Sequence, residues 1–178
     1  MKEYNFENEH EVNINKLLAP HMSKEEYSKA HSGLVIVTHD IIIHYKNGVL
    51  LVVRDNVPAK DMLFPIGGRI ERGMEIEDSL KKKVKEECNL DIMSLKELGH
   101  ARLRFETEPF GHGKGTDHIS FMYFGEGKGE LKLDNMHSSP TIVTPKEYTK
   151  KFKENLHPWV RDFMDLAMPL IKTLDKKS

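Results

Sequence analysis

Phe64-Pro65-Ile66-Gly67-Gly68-Arg69-Ile70 leads through Glu71-Arg72-Gly73 into a stretch that ends Lys85-Glu86-Glu87-Cys88-Asn89-Leu90. Two adjacent glycines let a backbone turn closely around a ligand, because neither carries a Cβ. Between this loop and the acidic end, Ile76, Leu80 and Val84 recur at i, i+4 and i+8, which predicts a helix over 75–87 with one apolar face. Residues one turn apart share a face, so Glu87 stands with Lys83 and Glu86 with Lys82. A carboxylate beside a close-approach loop suits a hard divalent cation, Mg²⁺ or Mn²⁺.

The segments on either side follow a different period. Leu34-Val35-Ile36-Val37 and Ile41-Ile42-Ile43 are dense in β-branched residues, as buried strands are. Lys46-Asn47-Gly48 reads as a hairpin turn, and Val49 to Val53 as the returning strand. Further strands are expected around Leu103-Phe105 and Ile119-Phe124, with a glycine-rich loop at Gly111 to Gly115 between them and a second hairpin at Gly125 to Gly129. Ser23-Lys24-Glu25-Glu26 has capping-box spacing and predicts a short helix over 24–30. Thr144-Pro145-Lys146-Glu147 joins an N-cap, a first-turn proline and a capping Glu, so a helix start is expected there. Pro158 opens another helix through Trp159, Phe163, Leu166 and Leu170, with Pro169 expected to kink or shorten it. Strands joined by hairpins and mixed with helices define an α+β fold. Residues 1–22 read as a polar N-terminal extension, and residues 23–178 as a single domain.

The whole-chain balance narrows the function. Lys plus Arg is 27 and Asp plus Glu is 28, a net charge of -1 in 178 residues. That argues against nonspecific nucleic-acid binding, which needs a basic surface to displace counterions. Apolar runs fall far short of the ~20 residues of a membrane span. Met1 to Phe6 lacks the apolar stretch of a signal peptide. One cysteine, Cys88, leaves no intramolecular disulfide and fits a reducing cytoplasm. Cys88 is expected to pack on its helix face, and the methionines Met62, Met74, Met122 and Met164 to fill core.

The Gly-to-Glu-Glu stretch resembles the box of the Nudix hydrolases, in which a Gly, a Glu, and a later Glu-Glu pair stand at set spacings. Gly68 begins it here, Val84 takes an apolar position, Glu86 and Glu87 take the pair, and Leu90 the last apolar position. Met74 stands in place of the first Glu, Lys82 in place of Arg, Lys83 in place of the next Glu, and Asn89 in place of Gly. Segments outside the box resemble the GDP-mannose mannosyl hydrolase branch: Thr38-His39-Asp40, Arg54 to Ala59, Phe64 to Arg69, Gly115-Thr116-Asp117, Asp134-Asn135-Met136-His137 and Thr144-Pro145.

The resemblance implies a mixed sheet sandwiched between helices, and Mg²⁺-dependent hydrolysis of a nucleoside diphosphate linked to another group, plausibly a sugar. It assigns metal ligation to Glu87, Glu86 and the Gly67 carbonyl. It makes His137, expected in a loop, the general base and Asp40 an acidic active-site residue. Arg69, Arg54 and Lys83 are assigned to the substrate's phosphates. Relatives of this kind are often dimers, so the resemblance allows a homodimer, with a small-molecule nucleotide as the other partner. Val57 stands where that branch carries an Arg, and Met136 where it carries a metal-binding Gln; a thioether is a poor ligand for Mg²⁺. Three readings stay open: attack at the sugar carbon, attack at phosphorus, and a ligand-binding domain in which Lys83 has replaced the metal.

Overall fold

A computed structural model describes Leu17 and residues 22–174 of the chain. The extension expected over 1–22 lies outside the described residues, except for Leu17 and Met22.

The chain runs α1 (Lys24–Gly33), β1 (Ile36–Tyr45), β2 (Gly48–Arg54), β3 (Leu63–Phe64), β4 (Ile66–Arg69), α2 (Ile76–Cys88), β5 (Asp91–Phe105), β6 (Thr116–Lys128), β7 (His137–Val143), α3 (Lys150–Glu154) and α4 (Pro158–Leu174). The seven strands form one sheet in which β3, β2, β1, β6 and β5 lie side by side, β4 pairs with β1 and β7 with β2. Only the β1–β6 pair is parallel among these. The α+β class read from the sequence is the class observed.

β1 is forked. Its second half pairs with β2, from Ile43 opposite Leu50 to Tyr45 opposite Gly48. Its first half pairs with β4 instead, from Thr38 opposite Arg69 to Ile41 opposite Ile66. β2 continues past the fork towards β7, where Arg54 stands opposite His137. A gap therefore opens between the end of β2 and the start of β4.

Alternation along the strands sends side chains to two cores. Ile42, Val49 and Leu51 pack with Trp159, Val160, Met164 and Ile171 of α4. Ile41, Ile43, Leu50 and Val52 pack with Leu80, Val84 and Cys88 of α2. Cys88 is fully buried, its Sγ against the Val84 carbonyl, as its place on the helix face predicts. The capping box at Ser23 forms as expected: the Ser23 hydroxyl accepts from the Glu26 N–H and the Glu26 carboxylate accepts from the Ser23 N–H. Asn89, in the box's Gly place, ends α2 in the left-handed conformation at φ 59°, which Asn tolerates best after Gly.

Three expectations are corrected. Gly125 to Gly129 is not a hairpin: β6 runs straight through to Lys128. Gly125 and Gly127 are there for closeness, not for turning. A Cβ on Gly125 would stand 2.7 Å from the Ser94 carbonyl oxygen and 2.9 Å from Ile41 Cδ1. Thr144-Pro145-Lys146-Glu147 makes the capping hydrogen bonds of a helix start but closes only a turn, and the helix begins after Thr149. Pro169 does not shorten α4, which continues to Leu174.

Gly125→Ala should lower unfolding stability by about 1–3 kcal/mol, the usual cost of overpacking. Gly33→Ala, where nothing lies within 4 Å of the new methyl, should not lower it. Urea unfolding of both variants checks this, and equal midpoints for Gly125→Ala and wild type would refute the packing account.

Candidate active site

The gap beside the fork is the mouth of a cleft of about 380 Å³. Asp40 reaches it from β1, Arg54 from the end of β2, Gly67, Gly68 and Arg69 from β4, Lys83 and Glu87 from α2, and His137 from β7. Seven of the eight residues expected at the site thus meet in one cleft. Glu86 does not line it. It opens on a neighbouring groove, half exposed, with Lys82 Nζ 3.9 Å away. Lys82 itself is held by both oxygens of Glu71, each at 2.9 Å.

Glu87 lies over the double glycine. Its side chain is 14% exposed, Lys83 Nζ is 3.7 Å from Oε1, and Oε2 is buried with no hydrogen-bond partner. Burial pushes its pKa up to about 7, outweighing the nearby charges of Lys83 and His137. The aliphatic stem of Lys83 crosses Gly68, whose missing Cβ makes the room: a Cβ there would be 3.4 Å from Lys83 Cε. A Cβ on Gly67 would overlap the Asp40 carboxylate and the His39 carbonyl. The Asp40 carboxylate accepts from the Ser120 hydroxyl of β6, and burial pushes its pKa up to about 6.

His137 is not a loop residue but the first residue of β7, 7% exposed. The segment before it is polar, which hides the strand. Asp134 accepts from His137 Nδ1 at 2.8 Å and from the Met136 N–H at 3.0 Å. Holding Nδ1–H this way leaves Nε2 as the acceptor nitrogen. Asp134 is in turn fixed by its own N–H, which donates to the Glu87 carbonyl at 3.0 Å. One residue thus satisfies an open carbonyl at the end of α2 and orients the imidazole. The role of Asp134 escapes a reading of the sequence, although its i−3 spacing from His137 was visible.

Arg54 donates from Nε to the Pro58 carbonyl at 2.9 Å and from Nη2 to Asn56 Oδ1 at 3.1 Å. Its guanidinium faces the fields of Asp40 and Glu87. Arg69 stacks on Tyr27 of α1, 4.4 Å from the ring centroid. The far wall comes from the glycine-rich loop, where Glu108 accepts from the N–H groups of Phe110, Gly111 and Gly113.

Among the described residues no three His, Cys, Asp or Glu side chains form a metal-binding cluster. Mg²⁺ seldom needs one: it commonly takes one or two carboxylates and completes its shell with substrate phosphates and water. The buried, unpartnered Oε2 of Glu87 fits a cation that arrives with a diphosphate. Lys83 stands as a competing cation on the other oxygen, and Met136 lines the cleft without a useful donor.

The site thus sits in a forked mixed sheet between two helices, with the carboxylate-bearing α2 packed beside the double-glycine strand β4. The chain belongs to the Nudix hydrolase family, as a match of the NUDIX domain model to residues 36–166 shows. It is 26% identical over 143 residues to the low-salt glycan biosynthesis protein Agl8 of Haloferax volcanii, covering 79% of this chain and 87% of that one. A NUDIX-family hydrolase from Clostridium perfringens superposes with a TM-score of 0.59 at 17% identity, over 79% of this chain and 99% of the other. The bifunctional NMN adenylyltransferase/ADP ribose pyrophosphatase of Francisella tularensis, solved with AMP and a Mn ion, superposes with a TM-score of 0.58 at 15% identity, over 83% of this chain and 45% of the other.

A carboxyl with a pKa near 7 folded and an ordinary value unfolded costs stability once it must ionise. The folded state then holds the extra proton between about pH 4.5 and 7, so stability falls as pH rises through that window. In metal-free buffer Glu87→Gln should therefore match wild type near pH ~4 and exceed it at pH ~8 by up to about 3 kcal/mol. Parallel denaturation profiles across that range would show that Glu87 is not held in its acid form.

Proposed function

We propose that this protein hydrolyses a nucleoside diphosphate linked to a sugar, with water attacking the sugar carbon. The observation that carries this reading is that Glu87, Lys83, Arg54 and Arg69 line one cleft together with His137, which Asp134 orients. The glycan-biosynthesis role in the name of the Haloferax volcanii relative supports a sugar-nucleotide substrate. We place the activity in the cytoplasm; no helix among the described residues is long and apolar enough to cross a membrane.

Arg54 and Arg69 bind the diphosphate oxygens, where a planar guanidinium can donate two hydrogen bonds. Glu87 and the Gly67 carbonyl would hold Mg²⁺ or Mn²⁺, whose chemistry would be to neutralise charge on the departing diphosphate. His137 Nε2 takes the proton of the attacking water while Asp134 holds Nδ1–H and steadies the imidazolium. The water oxygen bonds to the sugar carbon, and the bond from that carbon to the diphosphate oxygen breaks with its electron pair. The products are the free sugar and the nucleoside diphosphate. Asp40, held by Ser120, is the acidic residue of the site.

A second reading rests on Lys83. Its ammonium lies 3.7 Å from Glu87 Oε1, on the carboxylate that would bind the ion. Two unit charges at ~4 Å interact by roughly 4 kcal/mol at an effective dielectric near 20, before solvent screening reduces it. The reading is a ligand-binding domain that neutralises the diphosphate with Lys83 alone.

Nucleotide sugars incubated with Mg²⁺ or Mn²⁺ in ¹⁸O-labelled water separate the readings. Label in the sugar supports carbon attack, label in a phosphate shows attack at phosphorus, and tight binding without turnover supports the second reading. Lys83→Glu should tighten Mg²⁺ binding measured by calorimetry; unchanged affinity would mean that Lys83 does not oppose the ion. His137→Gln should lower turnover by about 10²–10⁴-fold with little change in substrate affinity. A variant that keeps the wild-type rate would remove His137 from the chemistry.

A further inference from the structure

α1 lies outside the sheet, yet it reaches the cleft through Tyr27 and His31, beside Phe110 of the glycine-rich loop. Arg69 stands where the cleft meets the neighbouring groove and lines both. Its side chain is exposed, and among the described residues no carboxylate pairs with it. The contact that holds it is the ring face of Tyr27, 4.4 Å from the guanidinium carbon. A free arginine samples many rotamers, and ordering it costs entropy each time an anion binds. A ring that holds the guanidinium beforehand removes part of that cost and, unlike a carboxylate, does not compete for the charge.

Tyr27 is itself fixed by a tie between α1 and the loop. Phe110 meets it edge to face with centroids 4.9 Å apart, and meets His31 at 5.0 Å. His31, buried on the next turn of α1, has its Nδ1 2.8 Å from His112 Nε2. The direction of that bond follows from the other side of His112. The Lys114 N–H donates to His112 Nδ1 at 3.1 Å, so neutral His112 carries its proton on Nε2 and donates it to His31. Glu108 Oε2 lies farther from the same nitrogen, at 3.5 Å, and the Glu108 carboxylate already accepts from three loop N–H groups. Burial, with His112 beside it, holds the His31 imidazole below its usual pKa, so at pH 7 its Nδ1 accepts rather than donates. The proton positions thus agree along the whole chain from Lys114 to α1.

We propose that α1 positions the diphosphate-binding side of the cleft: Tyr27 holds Arg69 ready for the diphosphate, and the hydrogen bond from His112 to His31 keeps Tyr27 in place by locking α1 to the glycine-rich loop. Tyr27, His31 and His112 are positioning residues that act through Arg69. The inference rests on the diphosphate reading of Arg69 above and adds the residues that arrange it.

The full-length protein, with Mg²⁺ present, is titrated with inorganic diphosphate by calorimetry. Tyr27→Leu should weaken binding by about two- to fivefold, the worth of an exposed cation–ring contact. Tyr27→Phe keeps the ring face and should bind as wild type does. His31→Phe keeps a ring against Phe110 and removes the acceptor; it should weaken binding in the same direction as Tyr27→Leu. In an Arg69→Gln background neither Tyr27→Leu nor His31→Phe should have any further effect, whereas a merely structural role would cost affinity in both backgrounds. If a variant does not fold, the tie is read in the wild type by ¹⁵N NMR of the imidazoles at pH ~8, where both rings are neutral. His31 and His112 should each show a bare Nδ1 and a protonated Nε2.

Wild-type affinity in Tyr27→Leu, or equal losses with and without Arg69, would overturn the positioning role and leave the diphosphate reading standing. The opposite tautomer on either imidazole would remove the tie to the loop. An Arg69→Gln variant that binds diphosphate as wild type does would overturn the inference at its root. A wild-type protein that binds no inorganic diphosphate would refute the diphosphate reading and the inference with it.

Discussion

The fork in β1 governs everything that follows from it. β6 takes one edge of β1, and the other edge cannot hold two strands at the same residues, so there β2 serves Ile43 to Tyr45 and β4 serves Thr38 to Ile41. Where the partners change over, the sheet parts and a cleft appears without any cavity being carved from the core. The strand's alternation then decides what faces the opening: Thr38 and Asp40 line it, while His39 turns to the α2 side and bonds Ser79 at 2.8 Å. Gly67 is required because its Cβ would occupy the place of the Asp40 carboxylate. A backbone branch thus puts an acid, a close-approach strand and the end of a helix within one site.

Electrostatics in the cleft are dominated by burial. Glu87 has a cation 3.7 Å away and still holds its proton more tightly than a free carboxyl, because lost hydration outweighs that attraction. Asp40 behaves alike despite the Ser120 hydroxyl. Two carboxyls that resist ionising on their own are ones that an approaching cation would help to ionise. Glu87 also reaches the base through its backbone: its carbonyl fixes Asp134, and Asp134 fixes His137. The helix end that offers the metal ligand is therefore the same piece of structure that sets the imidazole.

The parts legible in the sequence are those where one period dominates. α2 shows its 3.6-residue repeat in Ile76, Leu80 and Val84, and the β1–β2 hairpin its dense β-branched runs around Asn47-Gly48. β7 was hidden because His137-Ser138-Ser139-Pro140 reads as loop; its pairing comes from β2 and not from its own propensity. Gly125 and Gly127 misled because glycine serves both turning and tight packing, and only the neighbouring chains distinguish the two. Within the site, the residues assigned from the resemblance meet in the cleft except Glu86, which stands about a third of a turn from Glu87 and faces the neighbouring groove. The tie from Asp134 to the Glu87 carbonyl is not legible in the sequence, since it joins elements distant along the chain.

The one parallel pairing also bears on how the chain reaches its folded state. β5 and β6 are successive strands joined by a loop and can zip locally, whereas β1 must find β6 across the chain, with Asp40 and Ser120 meeting from 80 positions apart. Closing a loop of that length loses entropy before any contact compensates, and such pairings slow folding. The cleft draws its walls from both sides of this late junction. A chain in which β6 has not yet docked has no Ser120 for Asp40 and no partner for the outer edge of β1, so the two sides of the cleft come together in a single step.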